Sequence, residues 1–140
     1  DDNFYPKLTD FGISIKTTDK IQDNEPVGTA PYMAPEIWTN QEYSKASDVY
    51  AFGVLVYEII ANTLVYRGKN QSIMYKVTIK KQPLPKINSN SNANSNFYNE
   101  LIKKCIKFNP EERPTFDDII KDLEEEFQDD SELQKYKKSV

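Results

Sequence analysis

The 140-residue sequence contains no histidine and a single cysteine, Cys105. The first absence excludes mixed Cys/His metal centres, and the second excludes any intramolecular disulfide. A reducing, cytoplasmic setting is therefore the expectation. No apolar run is long enough to span a membrane; the longest, residues 49–61, carries Glu58. No secretory pattern opens the chain, so a soluble protein with no membrane partner is expected. Basic charge is also short, with 18 Lys and Arg against 22 Asp and Glu for a net charge of -4. Over the whole chain no basic stripe stands out, and nucleic acid is not an expected partner. Neither an internal repeat nor a linker divides the sequence.

What is present is enough apolar residue for one packed core. Residues 4–9 read as a short strand, with Phe4 and Leu8 apolar and Pro6 tolerated only near a strand start or edge. Residues 14–27 lack periodicity and read as an exposed, mobile segment. The stretch SDVYAFGVLVYEIIA, 47–61, is apolar around nearly its whole circumference, which predicts a helix in the interior on which everything else packs. A shorter helix is predicted over 71–79, capped by Asn70, with Ile73 and Val77 on one face.

The tract INSNSNANSN, 87–96, has nothing to bury and is predicted to be a flexible loop without chemistry. Phe97, Leu101, Ile102, Cys105 and Ile106 recur at helical spacing, so Cys105 reads as core. Asn109-Pro110 is a cap with proline in the first turn. Thr115-x-x-Asp118 is a capping box opening a last helix through Phe116, Ile119, Ile120, Leu123 and Phe127. Residues 128–140 form a charged C-terminal tail, expected to be solvated and frayed.

The chemistry-bearing residues occur in a fixed order. KLTDFGIS contains Asp10-Phe11-Gly12; alone, an Asp-x-Gly triplet is turn chemistry. It is followed by GTAPYMAPE, residues 28–36, then by Asp48, the FGV-containing helix and Arg113 in NPEERPTF. In this order the motifs closely resemble the protein kinase family, and the wording YMAPE and SDVYAFGVLVYEI is most similar to the tyrosine-kinase-like branch of the serine/threonine kinases. The resemblance implies a mainly α fold, the C-terminal lobe of the protein kinase fold. It places a partial kinase domain at 1–127, with an activation segment at 10–36 and a helical core at 44–127.

By that resemblance Asp10 is the carboxylate that binds Mg2+ beside the phosphates of ATP, a hard cation that takes oxygen ligands. Phe11 is the residue whose packing separates active from inactive arrangements, and Gly12 lets the backbone turn so that the acid can swing. Thr29 lies beside the acceptor site, where its hydroxyl helps orient the catalytic acid, and Gly28-Thr29 favours Ser/Thr acceptors over tyrosine. Glu36 is expected to pair with Arg113, and Asp48 to hold the catalytic-loop backbone or to cap its helix. Thr17 and Thr18, and less strongly Ser14, are candidate phosphorylation sites in the activation segment.

The Gly-rich loop, the strand lysine with its helix glutamate, and the HRD catalytic loop of this family do not occur in the 140 residues. Together with an opening of Asp1-Asp2-Asn3 instead of methionine, this leads to the expectation of a C-terminal piece of a serine/threonine kinase. Its partners would be protein substrates, ATP and the missing N-terminal lobe of the same chain. The piece alone is expected to be inactive, with apolar surface left open where that lobe belongs. The alternative is a noncatalytic, kinase-derived scaffold or binding module.

Overall fold

A computed structural model describes residues 6–14, 27–87 and 94–128. Five α-helices run through it: α1, Pro35–Asn40; α2, Lys45–Ala61; α3, Asn70–Met74; α4, Ser95–Cys105; and α5, Phe116–Glu126. Short 3-10 turns occupy Phe11–Ile13, Ala30–Tyr32 and Pro110–Glu112, and a π-helical turn, Tyr75–Ile79, extends α3. Among the described residues there is no strand, and no helix is long and apolar enough to cross a membrane. The expected strand over 4–9 is thus not formed at residues 6–9, because nothing described here offers it a neighbouring ladder of hydrogen bonds. Phe4 lies outside the described residues.

Helix α2 organises the rest. Its start is fixed by a reciprocal cap, in which the Ser47 N–H donates to Ser44 Oγ and the Ser44 N–H donates to Ser47 Oγ. Tyr50 and Val54 face one cluster with Met33, Ala34, Ile37, Ile73 and Val77. Val49 faces Leu101, Cys105 and Ile119, and Tyr57 faces Ile87 and Ile102. Every buried cluster therefore includes α2, as its apolar sequence led one to expect. The helix is nevertheless not buried all round: Leu55 and Ile59, one turn apart on its far side, are 46 % and 66 % exposed.

The contact between α2 and α4 depends on Gly53. A Cβ at this position would stand 2.6 Å from Cys105 Cβ and 2.9 Å from Ile106 Cγ2, so only a glycine allows the two helices to approach this closely. Cys105 is fully buried at that crossing, and desolvation pushes its thiol pKa up to about 11.

The starts of α3 and α4 differ from the sequence reading. Helix α3 begins at Asn70 with Lys69 in the cap position and no side-chain cap; the left-handed turn at Gly68 (φ 120°) starts the helix one residue early. Helix α4 begins at Ser95, inside the stretch predicted as loop. At the head of that tract, which was expected to bury nothing, Ile87 is buried and held by Asn99, which accepts from its N–H and donates to its carbonyl, both at 2.9 Å. Residues 88–93 of the tract and 129–140 of the tail lie outside the described residues. Helix α5 opens with the predicted Thr115/Asp118 capping box, but it rides at the surface, with Ile119 buried and Phe116 and Ile120 exposed.

Candidate functional site

The segment from Val27 to Asn40 is fastened to the helical core at three places. The first is Tyr43, whose hydroxyl accepts from the Val27 N–H at 2.6 Å and donates to the Val27 carbonyl at 3.1 Å. The second is Tyr32, in the 3-10 turn after Thr29. Its hydroxyl donates to Glu58 Oε2 at 2.7 Å, while Glu58 Oε1 accepts from the Val65 N–H at 3.0 Å. One carboxylate in the apolar run of α2 thereby holds both this turn and the chain leaving the helix. The hydrogen bond to Glu58, then burial, raises the Tyr32 pKa above the ordinary phenol range.

The third fastening joins residues 77 positions apart. Arg113 Nη1 and Nη2 donate in parallel to Glu36 Oε1 and Oε2 at 2.7 and 2.8 Å, with both side chains buried. The remaining guanidinium N–H groups donate to the carbonyls of Ala46 and Lys107, both at 2.8 Å, and of Phe108 at 3.2 Å. All five N–H groups of the arginine are thus used, the condition under which a buried cation is tolerated. Ser47 Oγ donates to Glu36 Oε1 at 2.9 Å, so the residue that caps α2 also belongs to this network. Burial by itself raises the Glu36 pKa, but the hydrogen bonds and charge of Arg113, with help from Ser47, outweigh it and hold the carboxyl below its ordinary value. The guanidinium carbon lies 5.1 Å from the centroid of the Tyr50 ring, which is itself buried in the same core cluster as Tyr66.

Asp10 is exposed, and the left-handed conformation at this turn is its own (φ 60°, ψ 64°). Gly12 does not have a positive φ: the left-handed turn is made at the acid, one of the few side chains that tolerates it. Phe11 is exposed in the 3-10 turn that follows. Thr29 is exposed at the head of the Ala30–Tyr32 turn and makes no cap hydrogen bond with its side chain. Asp48 stands in the first turn of α2 but does not cap it, since Ser44 does. Its carboxylate finds no hydrogen bond among the described residues, and partial enclosure raises its pKa. Thr17 and Thr18 lie outside the described residues, and Ser14 is exposed.

The structure therefore brings Glu36 and Arg113 together and leaves Asp10, Thr29 and Asp48 presented outward. No group of three or more His, Cys, Asp or Glu able to hold a metal occurs among the described residues. A single exposed carboxylate fits magnesium in a partial sense, because that ion is commonly held by one or two carboxylates with phosphates and waters completing the shell.

A family model described as the protein kinase domain matches residues 1–123. The chain belongs to the protein kinase family. Its fold is accordingly a partial C-terminal lobe of the kinase fold, mainly α-helical. The chain is 33 % identical over 127 residues to the dual specificity protein kinase shkD of Dictyostelium discoideum, covering 89 % of the chain and 17 % of that protein. It is 30 % identical over 138 residues to human receptor-interacting serine/threonine-protein kinase 3, covering 91 % of the chain and 27 % of that protein. It is 35 % identical over 136 residues to cysteine-rich receptor-like protein kinase 25 of Arabidopsis thaliana, covering 86 % and 20 %. The chain thus spans well under a third of each of these relatives.

The kinase motifs led to Glu36 and Arg113 but not to Ser47, Tyr43, Tyr32 or Glu58, which fasten the same segment. Glu58 alone carried a trace in the sequence. It is the one acid within the apolar run 49–61, a position that needs a partner if it is enclosed.

Proposed function

We propose that the intact protein is a serine/threonine protein kinase of the tyrosine-kinase-like branch, which transfers the γ-phosphate of ATP to protein hydroxyl groups, and that this chain supplies part of its C-terminal lobe. The observation that carries the reading is the saturated Glu36–Arg113 pair, which ties the end of the DFG-to-APE segment to the helical core. A segment fixed at its far end gives a protein substrate a rigid shelf, and a fixed shelf is what positioning an acceptor hydroxyl requires.

Within this reading Asp10 offers its exposed carboxylate to Mg2+, which with ATP supplies charge neutralisation for phosphoryl transfer. Its left-handed backbone turn sets the direction in which the carboxylate is presented. Thr29, whose side chain makes no cap bond, keeps its hydroxyl available to orient a neighbouring acid. Asp48, partly enclosed and without a hydrogen bond among the described residues, suits a backbone partner from the catalytic loop. The open apolar side chains Leu55 and Ile59 on α2 suit the remainder of a kinase domain packing there. A cytoplasmic, reducing location suits the buried free thiol of Cys105.

The second reading is a noncatalytic, kinase-derived binding module. The two are separated by incubating the purified full-length protein with γ-labelled ATP, Mg2+ and a mixed protein substrate, followed by phosphoamino-acid analysis. Label on serine and threonine supports the kinase reading. Label confined to tyrosine overturns the acceptor assignment, and no label on any substrate favours the module.

A further inference from the structure

Charge counted by segment corrects the reading that no basic stripe is present. Between Glu58 and Glu100 none of the chain's 22 acids occurs, whereas Arg67, Lys69, Lys76, Lys80, Lys81 and Lys86 all fall there. The asymmetry survives folding. Lys103, Lys104, Lys107 and Lys121 each pair with a carboxylate, and among the described residues none of those six cations does.

Two of the six lie instead against aromatic rings. Lys81 Nζ stands 4.0 Å from the centroid of the Phe108 ring, and Lys80 Nζ stands 5.8 Å from that of Tyr75. Apolar side chains share the same surface. Ile73 and Val77 turn inward from α3 and the π-helical turn, which leaves Met74, Tyr75 and Ile79 outward, the last two 48 % and 68 % exposed. An exposed apolar stripe edged by unpaired ammonium groups combines the two features of a recognition surface, an apolar centre and a charged rim.

From this juxtaposition we infer that the outward face of α3 and its π-helical turn, Met74, Tyr75, Ile79, Lys80 and Lys81, docks an acidic polypeptide segment that also carries apolar side chains. Charge complementarity selects the acid, and the apolar stripe selects a ligand with side chains to bury. A polyphosphate backbone would leave Met74 and Ile79 uncovered. An anionic membrane or nucleic acid would also bring the chain's many other carboxylates against a surface of like charge. A short acidic peptide can cover this patch without spanning the acidic remainder of the chain. The inference does not depend on whether the intact protein transfers phosphate.

The test is fluorescence anisotropy of a fluorescein-labelled peptide of repeated Glu-Asp-Leu-Phe titrated with the full-length protein. Binding that weakens with added salt is expected, with about a tenfold loss in Lys80→Glu/Lys81→Glu and a comparable loss in Met74→Ser/Ile79→Ser. The repeated Gln-Asn-Leu-Phe peptide should not bind. These side chains are exposed, so unchanged thermal melting of both variants separates lost docking from lost folding. No binding of the acidic peptide, or equal binding by wild type and both variants, overturns the inference. Tighter binding of oligothymidylate or phosphatidylserine vesicles through the same lysines overturns it in favour of those partners.

Discussion

Replacing Arg113 by alanine removes five hydrogen bonds at once, two to the Glu36 carboxylate and three to the carbonyls of Ala46, Lys107 and Phe108. Glu36 then remains buried with Ser47 as its side-chain partner. Breaking a buried pair in this way costs about 3 to 5 kcal/mol, chiefly because a charge is left unpaired in a poorly solvating interior. Against a typical total stability of about 5 to 15 kcal/mol, that is a large fraction. Urea unfolding followed by circular dichroism measures it. A double-mutant cycle of Arg113→Ala and Glu36→Ala should show coupling of about 1 to 3 kcal/mol, since the second substitution removes the charge stranded by the first. The pair also sets an acid limb. The folded Glu36 pKa lies below its unfolded value, so its stabilisation is complete above the ordinary carboxylate range and disappears as pH falls through the folded pKa. Arg113→Ala should flatten that limb. A loss near zero, or a fully additive cycle, would refute the anchoring role of the pair.

Gly53→Ala should destabilise by about 1 to 3 kcal/mol in thermal or urea unfolding despite alanine's better helix propensity, because its Cβ would meet Cys105 and Ile106; a more stable variant would contradict that helix contact. Glu58→Ala strands the Tyr32 hydroxyl and the Val65 N–H, with an expected loss of about 1 to 3 kcal/mol by the same measurement, and no loss would mean the carboxylate fastens neither. Cys105 should resist a thiol reagent at neutral pH until the protein unfolds, since it is buried and its pKa is pushed up to about 11; prompt labelling of the native protein would contradict its place in the core.

Contacts carried by ordered motifs were legible in the sequence, and those that depend on where elements meet were not. Glu36 and Arg113 announce each other through the segments around them, and Thr115 and Asp118 do so through a spacing that only a helix start uses. Cys105 could be placed in the core because its apolar neighbours recur at helical spacing. By contrast, a run of apolar residues states that a helix has something to bury without stating that the neighbour is present, and so Leu55 and Ile59 were misplaced. The strand at 6–9 failed for the same reason, since a strand is defined by its partner. The left-handed turn at Asp10 left no trace in the sequence, because the conformation is set by the chain around it and not by the residue alone. The hydroxyl anchors of Tyr32, Tyr43 and Ser47 have no local pattern, because each is defined by an acceptor or donor on another element.

The most direct test of the proposed chemistry is phosphoryl transfer by the full-length protein carrying Asp10→Asn, assayed over a range of Mg2+ concentrations. If the Asp10 carboxylate serves a nucleotide-associated cation, turnover falls by roughly 10²-fold or more while the melting temperature, for so exposed a side chain, stays unchanged. Turnover equal to wild type at every Mg2+ concentration would contradict it.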